Sequence, residues 1–381
     1  MRGKAFVSVY WKHIILALLA IGVFCFWFFL YPFIPVTREI SQLFLWNSDY
    51  LTERMSLPGG FSRYTAEMLA QFFLNPFNGA IFYTLLSLLA QYLTYRLLLL
   101  VKKGRGDKVK FGLSLIPPFI LCKVAMDPAI PLTPTVAVLT VMALVNLSLS
   151  LSSSWAIRQR VLFLCMFLPV CYWLAWPASN LDYDWSGEKQ IGTREEMECD
   201  MLMRMKAWDQ ISAKFIHPES PAVKSAILLA AYQTGKISRE TLYQRIYVPR
   251  SSQGMPSVFV VGGKNLVIRI GSLSSAYMVS DMALQLNLPN VSQWAAFEAM
   301  EYIPNYSKSV RSVKRLAETA IVTGQYQLAK KYLSILDETL FYGKWAQEMR
   351  PLVEHPELIN RKPYYHQLQK AYAESEDIFF I

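Results

Sequence analysis

From His13 to Ile34 the chain runs for 22 residues without an Asp, Glu, Lys or Arg. A run of that length can cross a bilayer as a helix, which takes about 17–25 apolar residues. It does not read as a cleaved leader. Its core is too long, and Phe24, Phe26, Trp27, Phe28, Phe29 and Tyr31 fill the place of a small-residue cleavage site. Four further apolar runs follow at 77–100, 111–126, 134–151 and 161–176, the third interrupted by Pro117 and Pro118. Composition agrees: 53% of the residues are hydrophobic and 17% charged, where soluble domains carry about 25% charge. Residues 1–178 are therefore expected to form a multi-pass transmembrane domain of about five helices.

Charge sets the expected orientation. Eleven Lys and Arg flank the spans on one side: Arg2, Lys4 and Lys12, then Arg96 through Lys110, then Arg158 and Arg160. The alternate loops hold three, Arg38, Arg54 and Arg63. The positive-inside rule puts the N-terminus in the cytoplasm and everything after Trp176 outside, which is the periplasm in a Gram-negative cell. The basic excess belongs to the apolar half, with a net +9 over residues 1–178 and +1 over 179–381. This argues for a membrane-lipid partner and against nucleic acid, since the second half has no basic cluster interleaved with aromatics.

Candidate chemistry is sparse. The four histidines are scattered and no Cys-x-x-Cys pair exists, so neither a metal nor a cofactor is expected. Met197, Met201, Met203 and Met205 read as helix core. Gly262-Gly263-Lys264 lacks the first Gly and the Ser/Thr of a phosphate loop. Asp49 and Glu53 in the outer loop 37–76 are the carboxylates that could serve as base or metal ligand for a lipid-linked sugar; a solvated loop is the alternative. Lys123 and Asp127 stand four apart near the end of the third run. They read as an intramembrane binding pair or as a snorkelling lysine paired with Asp127. Leu57-Pro58-Gly59-Gly60 is a sharp turn leading into a helix at 61–74. Tyr64, Met68, Leu69, Phe72 and Phe73 share one face of it, with Arg63, Glu67 and Gln71 opposite, which predicts an interfacial or re-entrant amphipathic helix.

Residues 179–192 read as a linker, and 193–381 as a helical domain opened by a Thr193/Glu196 capping box. Gly235 and Gly324 mark helix ends. Val258–Val261 and Leu266–Ile270 are consistent with a short β-hairpin or, equally, with a buried or membrane-touching loop. Leu316, Ala317, Gly324, Tyr326 and Ala329 fall where a tetratricopeptide repeat places its large and small packing residues. The expected fold class is therefore all-α: transmembrane helices followed by a TPR-like α-solenoid.

Three motifs carry a resemblance: Leu57-Pro58-Gly59-Gly60-Phe61 followed by Gln71-Phe72-Phe73, the stretch Phe297–Tyr306, and Thr339–Ala346. With them the chain resembles an uncharacterised family of bacterial inner-membrane proteins with a multi-pass N-terminal half and a TPR-like C-terminal half. The likeness covers most of the chain, is strongest at 57–76 and 294–346, and departs at 250–271. It implies a fold and a location and transfers no catalytic residue. The resemblance implies members that continue beyond the position of Ile381, so a C-terminal truncation or a shortened relative is expected, and the apolar end Ile378-Phe379-Phe380-Ile381 fits the start of a further segment, a tail docked on the preceding helix or a partner contact. Two functions are compatible with these readings. One is a non-enzymatic scaffold that presents its repeats outside the membrane to a protein or peptide. The other is a membrane enzyme or enzyme subunit acting on a lipid-linked sugar through the 37–76 loop.

Overall fold

A computed structural model describes residues 2–101, 106–151, 159, 191–246, 258–261, 264–267, 270–303 and 308–374. The fifth expected span (161–176), most of the linker and the apolar end at 378–381 lie outside these residues. The described chain is helical apart from one antiparallel ladder, β1 (Val258–Val261) with β2 (Lys264–Val267), in which Val258 faces Val267. It divides into two compact units, residues 1–39 with 46–183, and residues 40–45 with 184–381.

In the first unit, α1 (Arg2–Cys25) continues through a π-helical turn at Phe26–Leu30. After it come α2 (Phe33–Ile40), α3 (Ser48–Met55), α4 (Gly60–Ala70), α5 (Pro76–Val101), α6 (Asp107–Ser114), α7 (Ile116–Ala125) and α8 (Thr133–Leu151). Three stretches are long and apolar enough to cross a membrane: Tyr10–Leu30, Pro76–Leu100 and Thr133–Leu151. The expected third span is described as two short helices, α6 and α7. Pro117 and Pro118 supply no amide hydrogens for the preceding carbonyls, so the helix restarts at Ile116 with proline in its first turn.

α5 is the hub on which α1, α6, α7 and α8 pack. Polar side chains on these apolar helices bond inward. Asn146 donates to the carbonyls of Leu93 (3.0 Å) and Met142 (2.8 Å), and Gln91 donates to the Ser114 hydroxyl (2.9 Å). Trp27, fully buried, stacks on Tyr83 with centroids 4.2 Å apart, and Tyr83 stacks on Phe73 at 5.0 Å. Arg38 is buried and donates to the carbonyls of Ala125 (3.2 Å) and Asp127 (2.9 Å), closing the C-terminal end of α7 where a cation is favoured.

The turn between α3 and α4 depends on two glycines. Gly59 takes φ 76°, and a Cβ on Gly60 would lie 1.8 Å from the Arg54 carbonyl oxygen. Only a residue without a side chain lets the two helix ends approach this closely.

The second unit contains α9 (Arg194–Arg204), α10 (Trp208–Lys214), α11 (Pro221–Gln233), α12 (Arg239–Ile246), α13 (Leu273–Gln285), α14 (Pro289–Glu301), α15 (Val310–Val322), α16 (Tyr326–Asp337), α17 (Gly343–Glu354) and α18 (Pro363–Glu374). From α13 to α17 each helix packs on the next, and α18 returns against α15. Ala296, Ala299, Ala317, Ala320 and Ala329 are fully buried, so small side chains sit at these helix contacts. The Thr193/Glu196 capping box is present and opens α9.

Four of these helices end in one way. After α15, Gly324 (φ 76°) follows the last turn, its N–H reaches Ile321 O, and Gln325 N–H reaches Ala320 O at 2.8 Å. The same pair of bonds ends α11 at Gly235, α13 at Asn287 (φ 63°) and α9 at Lys206 (φ 55°).

Gly324→Ala is expected to cost about 1–2 kcal/mol through backbone conformation alone, because an added Cβ there meets nothing within 4 Å. Gly60→Ala drives a Cβ into backbone and is expected to lose about 3 kcal/mol or more, the top of the range for overpacking. Thermal melts of the two variants in detergent check this ordering, and a Gly60→Ala melt no lower than that of Gly324→Ala contradicts it.

Candidate functional site in the C-terminal unit

The residues singled out from the sequence stand apart from one another. Asp49 and Glu53 lie on one exposed face of α3, Asp49 beside the Ser48 hydroxyl at 3.4 Å and Glu53 beside Arg54 at 3.1 Å. Lys123 is exposed and makes no ion pair with Asp127 among the described residues. α7 ends at Ala125, which breaks the i, i+4 geometry, and the Asp127 carboxylate turns to accept the Ala129 N–H at 2.9 Å.

The buried side of α4 carries polar groups. Glu67 and Gln71 are buried and Arg63 half-buried, whereas Tyr64, Met68, Leu69 and Phe72 are half-exposed and Phe73 alone of the apolar set is fully buried. The Glu67 carboxylate accepts from Tyr50 Oη (2.7 Å), Arg54 Nε (3.0 Å) and Arg63 Nε (2.9 Å). With three donors the carboxylate is satisfied, and the cluster joins α3 to α4.

A second polar cluster lies in the C-terminal unit, where α9, α13 and α15 meet. Arg311 on α15 forms a fork with Asp200 on α9, at 2.7 and 2.8 Å, and reaches Asp281 on α13 at 2.7 Å. Its guanidinium lies 4.4 Å from the ring centre of Tyr277. One turn on, Arg315 pairs with Asp281 and with Glu318. Burial pushes the Asp200 carboxyl above its ordinary range, against the pull of Arg311. Burial acts on Asp281 in the same sense, but Arg311 and Arg315 together outweigh it and hold that carboxyl below its ordinary range. Burial lifts the Tyr277 hydroxyl to about 12, so it stays protonated and donates to the Ser309 hydroxyl, with the Ser312 hydroxyl also within hydrogen-bond distance.

This cluster forms one side of a cavity of about 400 Å³. Arg204, Lys206 and Lys314 add three cations to its lining, and Trp208, Tyr342 and Tyr364 add aromatic surface. Arg204 donates to the Tyr342 hydroxyl at 3.3 Å, and the Lys314 ammonium sits 5.0 Å from the Trp345 ring centre. An adjoining cavity of about 410 Å³ shares Gln285 and Tyr364 with the first and is lined by Gln233, Asn287, Gln367 and Arg239. The two make one polar groove, basic at one end and amide-lined at the other. It has no group of three or more His, Cys, Asp or Glu that could hold a metal among the described residues. The groove was not anticipated from sequence. Met197, Met201 and Met203 are buried in α9 beneath it, while Met205 is exposed.

Removing one partner of a buried ion pair costs about 3–5 kcal/mol. Arg311→Ala should destabilise the purified protein by that amount at neutral pH. The orphaned Asp200 then has a folded-state pKa far above its unfolded one, so the native state binds the extra proton. The variant should therefore recover stability as pH falls towards the unfolded carboxylate value. Melting curves of variant and parent at pH 7.5 and 5 check the sign; a loss that grows on acidification contradicts it.

Neither a curated protein nor a solved structure matches the chain. One family model does, over residues 8–181 and 183–381, so it takes in both units almost entirely. The chain belongs to that family, DUF6057, a family of unknown function.

Proposed function

We propose that this chain is a membrane-anchored scaffold. Its apolar half holds it in a bacterial inner membrane through about five spans, with the N-terminus in the cytoplasm. Its C-terminal unit is a TPR-like array on the outer face that binds a protein or peptide. The observation that carries this reading is the groove. It is concave and polar, and its Arg311 and Arg315 are already matched by Asp200, Asp281 and Glu318, so that part of the lining is stable without a ligand. Support for the anchor comes from the three helices long and apolar enough to cross a membrane. Support for the array comes from the stacking of α13 to α17 and the buried alanines between them.

The enzyme reading rests on Asp49 and Glu53 being exposed on α3. It requires either carboxylate to be essential, whereas the scaffold reading makes Asp49→Ala and Glu53→Ala silent.

A photo-crosslinking residue at Tyr342, inside the groove, should capture a discrete protein in native membranes, and one at Lys330, outside it, should not. Equal capture at both positions, or none at either, contradicts the scaffold reading. The orientation is checked separately by a reporter fused after Asp182. One that works only outside the cytoplasm is expected to be active, and activity of a cytoplasm-only reporter at that junction overturns the topology.

A further inference from the structure

The groove's chemistry narrows what it can hold. Arg311 and Arg315 are engaged by buried or half-buried carboxylates, so they form the floor and do not serve an incoming anion. Lys206 and Lys314 also line the first cavity and have no acidic partner among the described residues. Arg204 stands beside them with its guanidinium held by Tyr342. Uncompensated cations in a concave site favour a negatively charged guest.

Lys206 carries a second indication. Of the four helix ends closed in the same way, two use glycine and one uses asparagine in the left-handed position, the residues that tolerate it best. The fourth uses Lys206, at φ 55°, a residue type that tolerates this region less well, and it stands in the lining of the first cavity. A lysine held in an unfavourable backbone region beside a pocket points to a use for its charge.

The second cavity distinguishes a chain from a small anion. A free phosphate or carboxylate would need only the basic end. The adjoining amides of Gln233, Asn287 and Gln367 offer both donors and acceptors, which is what a peptide backbone requires. Trp208, Tyr342 and Tyr364 give rigid surface for side chains to rest on.

We propose that the groove binds an extended acidic peptide segment of a partner protein, with its carboxylates against Lys206, Lys314 and Arg204 and its backbone along the amide-lined end. This rests on the scaffold reading and specifies its ligand.

The test uses the full-length protein in detergent micelles and a fluorescent alternating Glu-Gly peptide of about eight residues, which extends to about 26 Å. Its Gln-Gly counterpart is the neutral control. The Glu peptide should bind about tenfold or more tightly than the Gln peptide, and high salt should weaken it. Lys206→Gly should weaken Glu-peptide binding while leaving the melting temperature unchanged or higher, a combination that a purely structural lysine would not give. Lys314→Gln should weaken it likewise, and Lys330→Glu, outside the groove, should leave it within about twofold. Equal binding of the two peptides, no binding of either, or unchanged binding in Lys206→Gly and Lys314→Gln overturns the inference. Displacement by millimolar inorganic phosphate also overturns it, in favour of a small-anion site. If Tyr342 still captures a protein while the Glu peptide fails, the acidic ligand is wrong and the scaffold reading stands.

Discussion

Arg311 ties the C-terminal unit together. It extends from α15 to carboxylates on two other helices, Asp200 on α9 and Asp281 on α13, and covers the Tyr277 ring on the way. Each ion so buried loses several kcal/mol of hydration. Only close, forked geometry offsets that loss, so the three helices cannot slide or rotate without breaking it. The apolar contacts elsewhere in the unit are less demanding, since alanine and leucine surfaces tolerate small shifts. The ion cluster therefore holds the register of α9, α13 and α15, and the groove takes its position from that register.

The helix ends complete this arrangement. Tight αL closures at Lys206, Gly235, Asn287 and Gly324 leave little slack before the next segment. Short connections keep neighbouring helices adjacent, and fully buried alanines let them pack closely. The ion pairs form the polar floor of an opening that Lys206 and Lys314 line without an acidic partner among the described residues.

How much of this was legible follows from the range of the interactions. The apolar runs could be read because spanning depends on composition within one window, and Tyr10–Leu30, Pro76–Leu100 and Thr133–Leu151 are helices of the required length. Gly235 and Gly324 could be read because the αL requirement is local. Pro117 and Pro118 were visible too, but a hydropathy window does not register a missing N–H, and the run they interrupt became α6 and α7. The groove could not be read. Asp200 and Arg311 are 111 residues apart, and Asp281 and Arg311 are 30 apart. No spacing rule links such residues, and Lys206 looks like any surface lysine until its φ is known.

The inverted face of α4 has a different cause. Arg63, Glu67 and Gln71 read from sequence as the face opposite the aromatic one, and an interfacial helix would turn that face to water. In an apolar unit the argument reverses. Glu67 is stable where it can collect Tyr50, Arg54 and Arg63, and such donors are found inside the unit. Arg38 shows the same preference, buried against backbone carbonyls at the end of α7. Meanwhile Leu18, Ile21, Phe29 and Phe119 are exposed on the surface of this unit. Polar groups inward and large apolar groups outward is the reverse of a water-facing surface, and it is the distribution that a hydrocarbon environment makes favourable. The orientation of α4 thus supports the membrane reading independently of helix length, because it depends on which side of the helix needs hydrogen-bond partners.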